Sequence, residues 1–128
     1  MNRTIFTTGV IFGVLAVALG AFGAHGLKEL IDDAGVQTFE TGVRYQMYHA
    51  FLLLVLGSTK RIPEQRKKLV YYLVVIGILL FSFSIYFLAT NELTTFDFKT
   101  IGFITPIGGL FLIIGWVVLG YRAHQYFI

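Results

Sequence analysis

Long apolar runs without a charged residue dominate the chain. Residues 4–24, 69–91 and 100–121 contain no Asp, Glu, Lys or Arg, and each run is rich in Leu, Ile, Val, Phe and Gly. An α-helix rises about 1.5 Å per residue, so each run is long enough to cross a hydrocarbon core of about 30 Å. The pattern therefore predicts three transmembrane helices.

A fourth helix is predicted between the first and second of these runs. Only fifteen uncharged residues separate Arg44 from Lys60, about 22 Å of helix, which is too short to span the membrane alone. We extend this helix upstream to about residue 35, because Asp32 or Asp33 can serve as its N-cap. The predicted fold is a single all-α domain over residues 1–128, an integral membrane four-helix bundle with helices at roughly 4–25, 35–59, 67–91 and 100–123.

The first run also resembles a signal peptide, because Arg3 precedes it and residues 16–18 read Ala-Val-Ala. It is longer than the roughly 7–15-residue apolar core of such a peptide, so we expect an uncleaved helix. Gly9 and Gly13 give this helix a GxxxG spacing that favours close packing. The packing partner is either another helix of this chain or another subunit.

The basic residues predict the orientation, since Lys and Arg near helix ends resist translocation. With the N-terminus inside, three basic residues lie outside. Seven lie inside, namely Arg3, Lys60, Arg61, Arg66, Lys67, Lys68 and Arg122. The distribution predicts a multi-pass membrane protein with both termini cytoplasmic.

The cytoplasmic basic loop 60–68 has two interpretations. It either sets the topology or also binds anionic lipid headgroups. Nucleic acid is not a predicted partner, because nine residues held against a bilayer offer no element that reads a groove.

Composition narrows the functional classes. The net charge is +3, apolar residues make up 56% and charged residues 13%, the last about half the share in an ordinary soluble domain. With no cysteine in the sequence, thiolate nucleophiles, disulfides, Cys-ligated iron–sulfur clusters and c-type haem attachment are excluded.

Polar residues on the second helix are the first candidate site. On a helical wheel Gly42, Tyr45, Gln46 and His49 share one arc, which should face other helices because polar groups facing lipid are costly. His25 ends the first helix, at what we take to be the same outer depth. We expect His25, Tyr45, Gln46 and His49 to converge, either as a hydrogen-bonded cluster or as a ligand site. Since no third ligand has a recognisable spacing, neither a metal nor a cofactor is predicted.

A second candidate site is the TPIGG segment, with Thr105, Pro106, Gly108 and Gly109. Pro106 should remove a backbone hydrogen bond near the outer end of the fourth helix. The break is either a shape feature or a place where backbone carbonyls meet a ligand.

Three stretches carry a family resemblance: GAFGAHGL (20–27), TFETGVRYQMYHA (38–50) and TPIGG…GW (105–116). They resemble the domain-of-unknown-function 423 family, small bacterial membrane proteins of the YgdD and YwdK type, to which the eukaryotic transmembrane protein 256 is similar. The resemblance implies a four-helix protein of the bacterial inner (cell) membrane. It implies no activity, substrate or catalytic residue.

Three functions remain open at this point. The first is a non-catalytic membrane subunit, assembly or scaffold protein, which fits the short loops and the lack of a catalytic constellation. The second is binding or transport of a small apolar molecule, a lipid or a quinone near the outer ends of helices one, two and four. The third is a membrane enzyme, for which we predict no catalytic residue. The expected partners are the lipid bilayer and either a protein partner or a second copy of the chain.

Overall fold

The computed structural model describes residues 1–95 and 97–127. Within these residues the chain is helical and contains no strand. The α-helices are α1 (Asn2–Ala24), α2 (Asp33–Ser58), α3 (Glu64–Ile78), α4 (Ser84–Ala89) and α5 (Ile104–Tyr126). A π-helical turn at Leu79–Phe83 joins α3 and α4 into one stretch, and 3₁₀ turns lie at Leu27–Glu29, Asn91–Leu93 and Phe98–Ile101.

Helices α1 and α2 pack closely and antiparallel. A Cβ atom at Gly9 would lie 3.0 Å from the carbonyl oxygen of Ala50, and one at Gly23 would lie 3.0 Å from the Phe39 ring. Because the earlier glycine meets the later residue of α2, the two helices run in opposite directions. Gly9 and Gly23 of α1 therefore contact another helix of this chain, and the missing side chains permit that close approach. Gly13, the second glycine of the GxxxG spacing, does not take part, because a Cβ atom there would meet nothing within 4 Å.

The α3–α4 stretch packs antiparallel against α5 on one side and α2 on another. A Cβ atom at Gly77 would lie 2.6 Å from the Leu112 side chain, and one at Gly115 would lie 3.1 Å from Val74. On the other side, the Ser82 hydroxyl donates to the carbonyl oxygen of Gly42 at 2.8 Å. Helix α2 thus lies between α1 and the α3–α4 stretch.

Two clusters of buried side chains fill the space between the helices. The larger one includes Leu53 and Leu56 of α2 packed with Val74 of α3. The smaller one lies toward the opposite end of the molecule, where Leu27 and Phe39 pack with Tyr86. The first cluster holds the end that carries loop 60–68, and the second holds the end that carries residues 25–32.

Three helical stretches are long and apolar enough to cross a membrane: Asn2–Glu29, Glu64–Ala89 and Phe98–Tyr126. Their outer surfaces are apolar, with Val14 64% exposed and Val117 66% exposed. These stretches confirm the three spans predicted from the charge gaps. Helix α2 is less apolar because it contains Glu40, Arg44 and several uncharged polar residues.

The last helix differs from its prediction at its start. The predicted helix 100–123 begins at Ile104, since Phe98–Ile101 forms a 3₁₀ turn in which Asp97 accepts a hydrogen bond from the Lys99 amide at 3.0 Å. Pro106 consequently lies in the first turn of α5, where a backbone N–H has no helical acceptor in any case. Pro106 therefore removes no hydrogen bond, which corrects the predicted break. The irregular turn is at Leu79–Phe83 instead.

Candidate functional site

His49 is buried and both of its ring nitrogens are hydrogen-bonded. Only 4% of the residue is exposed. The indole Nε1–H of Trp116 donates to its Nε2 at 3.0 Å, and its Nδ1 lies 2.6 Å from the carbonyl oxygen of Tyr45. Since an indole N–H and a carbonyl oxygen have fixed roles, the imidazole is neutral with its proton on Nδ1. The His49–Trp116 bond joins α2 to α5.

Gln46 lies one helical turn before His49 and connects three helical stretches. It is fully buried; its Nε2 donates to the carbonyl oxygen of Phe12 in α1 at 2.8 Å. Its Oε1 accepts a hydrogen bond from the Tyr86 hydroxyl of α4 at 2.6 Å. Both ends of the amide are therefore used in helix–helix contacts.

The predicted convergence of four polar residues is found only in part. Gln46 and His49 are buried one turn apart, but Tyr45 is 40% exposed and its ring packs 5.1 Å from that of Phe81. His25 is exposed at the end of α1.

His25 and His49 lie at different depths. Gln46 bonds to Phe12, and Gly9 faces Ala50, so His49 is level with residues 9–12 of α1. His25 is thirteen residue steps beyond Phe12, which is about 20 Å of helix. The structure therefore does not bring the two imidazoles together, because His49 lies near mid-helix rather than at the outer end.

The TPIGG segment packs against the π-helical turn of the facing stretch. A Cβ atom at Gly108 would lie 2.6 Å from the carbonyl carbon of Leu80, and one at Gly109 would lie 3.5 Å from the Phe81 ring. The hydroxyls of Thr105 and Ser84 are hydrogen-bonded, and Ser84 also donates to the carbonyl oxygen of Phe81 at 2.9 Å. These contacts give the segment a packing role around Leu79–Phe83.

The basic loop is divided between surface and interior. Lys60, Arg61, Arg66 and Lys68 are exposed. Lys67 is fully buried, and its Nζ donates to Asn2 Oδ1 and to the carbonyl oxygen of Thr59, each at 2.6 Å. Lys67 therefore ties α1, α2 and α3 together and does not face headgroups, a correction to its grouping with the other four.

An apolar groove of about 380 Å³ lies between α2 and α5, on the half of the molecule that carries loop 60–68. Leu52 and Leu56 are among the buried residues that line it, and Trp116 and Phe127 line it from α5. The sequence indicated a ligand site near the outer ends of the helices. This groove is at the opposite end.

Comparison with known proteins identifies the family. The family model described as "Protein of unknown function (DUF423)" matches residues 19–109. The chain belongs to the DUF423 family. This confirms the resemblance carried by GAFGAHGL and YQMYHA.

Relatives within the DUF423 family cover nearly the whole chain. The UPF0382 membrane protein of Staphylococcus epidermidis is 40% identical over 117 residues, 91% of this chain and 92% of the relative. YwdK of Bacillus subtilis is 40% identical over 126 residues, 97% of this chain and 98% of the relative. The Haemophilus influenzae relative is 36% identical over 125 residues, 98% of this chain and 97% of the relative. No solved structure matches the chain.

The family names and the helices agree. These DUF423 relatives are named membrane proteins, and three helical stretches of this chain can span a bilayer. The chain is a multi-pass cell membrane protein.

Two partners in the polar network were missed in the sequence, and the burial of one residue of the basic loop was not predicted. Tyr86 and Trp116 supply the partners of Gln46 and His49, and Lys67 is the buried cation at the loop end. Two features of the sequence could have indicated these partners: Tyr86 lies inside the uncharged run 69–91, and Trp116 is the only tryptophan of the chain. A buried Tyr or Trp needs a polar partner.

Proposed function

We propose that this DUF423 protein is a non-catalytic membrane subunit or scaffold, built as a four-helix transmembrane bundle with both termini in the cytoplasm. One observation carries the proposal: Gln46 and His49 of α2 are buried and use their polar atoms in hydrogen bonds within the bundle. Gln46 has both amide atoms bonded to other helices, and His49 has Nε2 bonded to α5 and Nδ1 bonded to the Tyr45 carbonyl of its own helix. Groups committed in this way hold helices together and are not aimed at a substrate.

Helix α2 serves as the fourth span in this proposal. Its 26 residues give about 39 Å of helix, more than the hydrocarbon thickness. Glu40 and Arg44 are exposed in its outer half, about 10 Å and 16 Å from its start. Gln46 and His49, farther along, are shielded from lipid by their partners, so the polar groups of α2 are compatible with a membrane position.

The exposed cations support the orientation. Lys60, Arg66 and Lys68 lie on the surface of the loop between α2 and α3. Basic residues in short loops are retained in the cytoplasm. In the proposed orientation residues 60–68 and both chain ends lie inside, where the loop also contacts the anionic headgroups of the inner leaflet.

A surface of α1 offers a place for a partner helix. A Cβ atom at Gly13 would meet nothing within 4 Å, and the neighbouring Val10 and Val17 are 44% and 63% exposed. A small residue beside exposed valines lets a second helix approach closely in lipid. The partner is a membrane protein or a second copy of this chain.

Purification in mild detergent tests the proposal. We expect the chromosomally tagged protein to carry one membrane protein at a fixed stoichiometry. Gly13→Leu should remove that partner while the circular dichroism spectrum and size-exclusion profile stay those of a folded protein. Gly120→Leu is the matched control, because Gly120 also has nothing within 4 Å but lies on α5. A turnover that requires Gln46 or His49 would contradict a non-catalytic role.

A further inference from the structure

The groove between α2 and α5 has the length of one leaflet. On α2 its lining runs from Tyr48 to Thr59, and on α5 it runs from Trp116 to Phe127. Either span of eleven residue steps is about 16 Å of helix, half of a hydrocarbon core of about 30 Å. The groove therefore extends from the loop end of the molecule to the middle of the bilayer.

Its lining is suited to a hydrocarbon chain. Apart from Tyr48 and Thr59, the side chains that line it are apolar or aromatic. Its floor contains Leu52, Leu56 and Ile62, which are 6%, 1% and 3% exposed. Such a wall offers a headgroup nothing to bond to, whereas an acyl chain gains dispersion contacts along it.

The two ends of the groove differ in charge. At the deep end stands the Trp116 ring, which the bond to His49 holds in place. At the loop end the Arg61 guanidinium lies 5.4 Å above the Phe127 ring, and Lys60 is the next exposed cation. Two exposed basic residues thus adjoin the mouth, since Lys60 and Arg61 lie between the lining residues Thr59 and Ile62.

We propose that this groove binds one acyl chain of an anionic phospholipid whose phosphate contacts Lys60 and Arg61. The occupant follows from the combination of a leaflet-long apolar channel and a cationic mouth at headgroup level. The volume of about 380 Å³ lies within the ~300–1,000 Å³ range of small-molecule sites. The site extends beyond the scaffold function and depends on the proposed topology only for which leaflet supplies the lipid.

Fluorescence quenching tests the site directly, because Trp116 is the only tryptophan. The purified protein is reconstituted into phosphatidylcholine vesicles containing a minor, equal mole fraction of either phosphatidylglycerol or phosphatidylcholine brominated on its acyl chains. We expect brominated phosphatidylglycerol to quench Trp116 as if enriched roughly tenfold at the groove, since two basic residues at the surface attract it. Equal quenching by the two lipids would overturn the proposal.

Two pairs of variants separate the mouth from general charge. Lys60→Gln with Arg61→Gln should abolish the preference for the anionic lipid. Arg66→Gln with Lys68→Gln removes the same charge from exposed positions outside the groove and should leave the preference intact. If both pairs reduce the preference equally, the lipid is held by the surface potential and the proposed site is wrong.

A third pair tests the channel itself. Ala123→Phe places a ring in the groove and should remove the preferential quenching although both cations remain. Val117→Phe adds the same bulk at a position 66% exposed outside the groove lining and should change nothing. Preferential quenching that survives Ala123→Phe would show that the lipid does not bind in the groove. If neither lipid quenches Trp116 and chemical crosslinking yields dimers, the groove has another occupant, a second copy of the chain. These vesicles contain only this chain and lipid, so a missing protein partner would not affect the result.

Discussion

Trp116 and His49 form a hydrogen bond between α5 and α2 in which the indole donates and the imidazole accepts, over 3.0 Å. The rings meet edge to face, with centroids 6.0 Å apart and planes at 71°. The bond gives a half-exposed aromatic residue one fixed orientation. It also shields a polar ring of α2 that would otherwise face lipid.

The first prediction concerns the energy of this contact. In a double-mutant cycle, His49→Leu and Trp116→Phe should be coupled by about 0.6–1.7 kcal/mol, the range found for hydrogen bonds between membrane helices. Unfolding is followed by circular dichroism in mixed micelles, because two variants of the cycle lack the tryptophan. Strictly additive effects would mean that the hydrogen bond contributes nothing to stability.

The second prediction concerns Gln46. Gln46→Leu leaves the buried Tyr86 hydroxyl without its acceptor and should lower the free energy of unfolding by about 1–2 kcal/mol. Tyr86→Phe should cost less, because Gln46 keeps its bond to Phe12. Phe51→Leu, at a position 58% exposed, is the control and should change stability by no more than about 0.5 kcal/mol. If the Gln46→Leu variant is as stable as this control, the hydrogen bonds of Gln46 do not contribute to the stability of the fold.

The burial of Gln46 and His49 was predictable from the sequence, whereas the identity of their hydrogen-bond partners was not. The wheel indicated that Gln46 and His49 face inward, because polar side chains at membrane depth avoid lipid. Their partners lie 40 and 67 residues away along the chain, and no local periodicity encodes which helix comes to lie beside α2. A helical wheel gives no depth along the helix axis, so it could not separate His25 from them. His49 is the seventeenth residue of α2, about 24 Å from its start.

The third prediction concerns the close approach at the π-helical turn. Gly108→Ala would place a Cβ atom 2.6 Å from the backbone carbonyl carbon of Leu80. Since backbone cannot move aside as a flexible side chain can, we expect a loss of about 1–3 kcal/mol. Gly120→Ala has open space and should be neutral or stabilising by up to about 1 kcal/mol, as alanine favours a helix. Equal thermal stability of the two variants would contradict the packing described for Gly108.

The fourth prediction concerns topology, which the absence of native cysteine makes simple to test. Cysteines replacing Ser58 or Gln65 should be protected from an impermeant thiol reagent in intact cells, and those replacing Asp33 or Thr95 should react. All four positions are exposed, so permeabilised cells provide the control in which every cysteine is labelled. The reverse pattern in intact cells would place loop 60–68 outside.

The bounds of the helices could largely be predicted from the sequence, because charged residues and N-cap residues mark where the helices begin and end. The predicted helices 4–25 and 35–59 correspond to Asn2–Ala24 and Asp33–Ser58, and the Asp32 side chain accepts from the Gly35 amide at 2.8 Å as an N-cap. The π-helical turn has no such signal, since an apolar run reads alike whether its hydrogen bonds are regular or shifted. The burial of Lys67 was equally hidden, because a cation in a basic loop is ordinarily solvated.

The placement of the partners of α2 has a consequence for biogenesis. The side-chain Oε1 of Gln46 accepts its hydrogen bond from Tyr86, and the Nε2 of His49 accepts its hydrogen bond from Trp116. Both donors leave the ribosome well after α2. A nascent α1–α2 hairpin therefore holds two unmet acceptors in its least apolar segment. In the proposed four-span arrangement the integration of α2 is completed only after the later segments are made, so we expect truncation before residue 116 to expose the hairpin to membrane quality-control proteases.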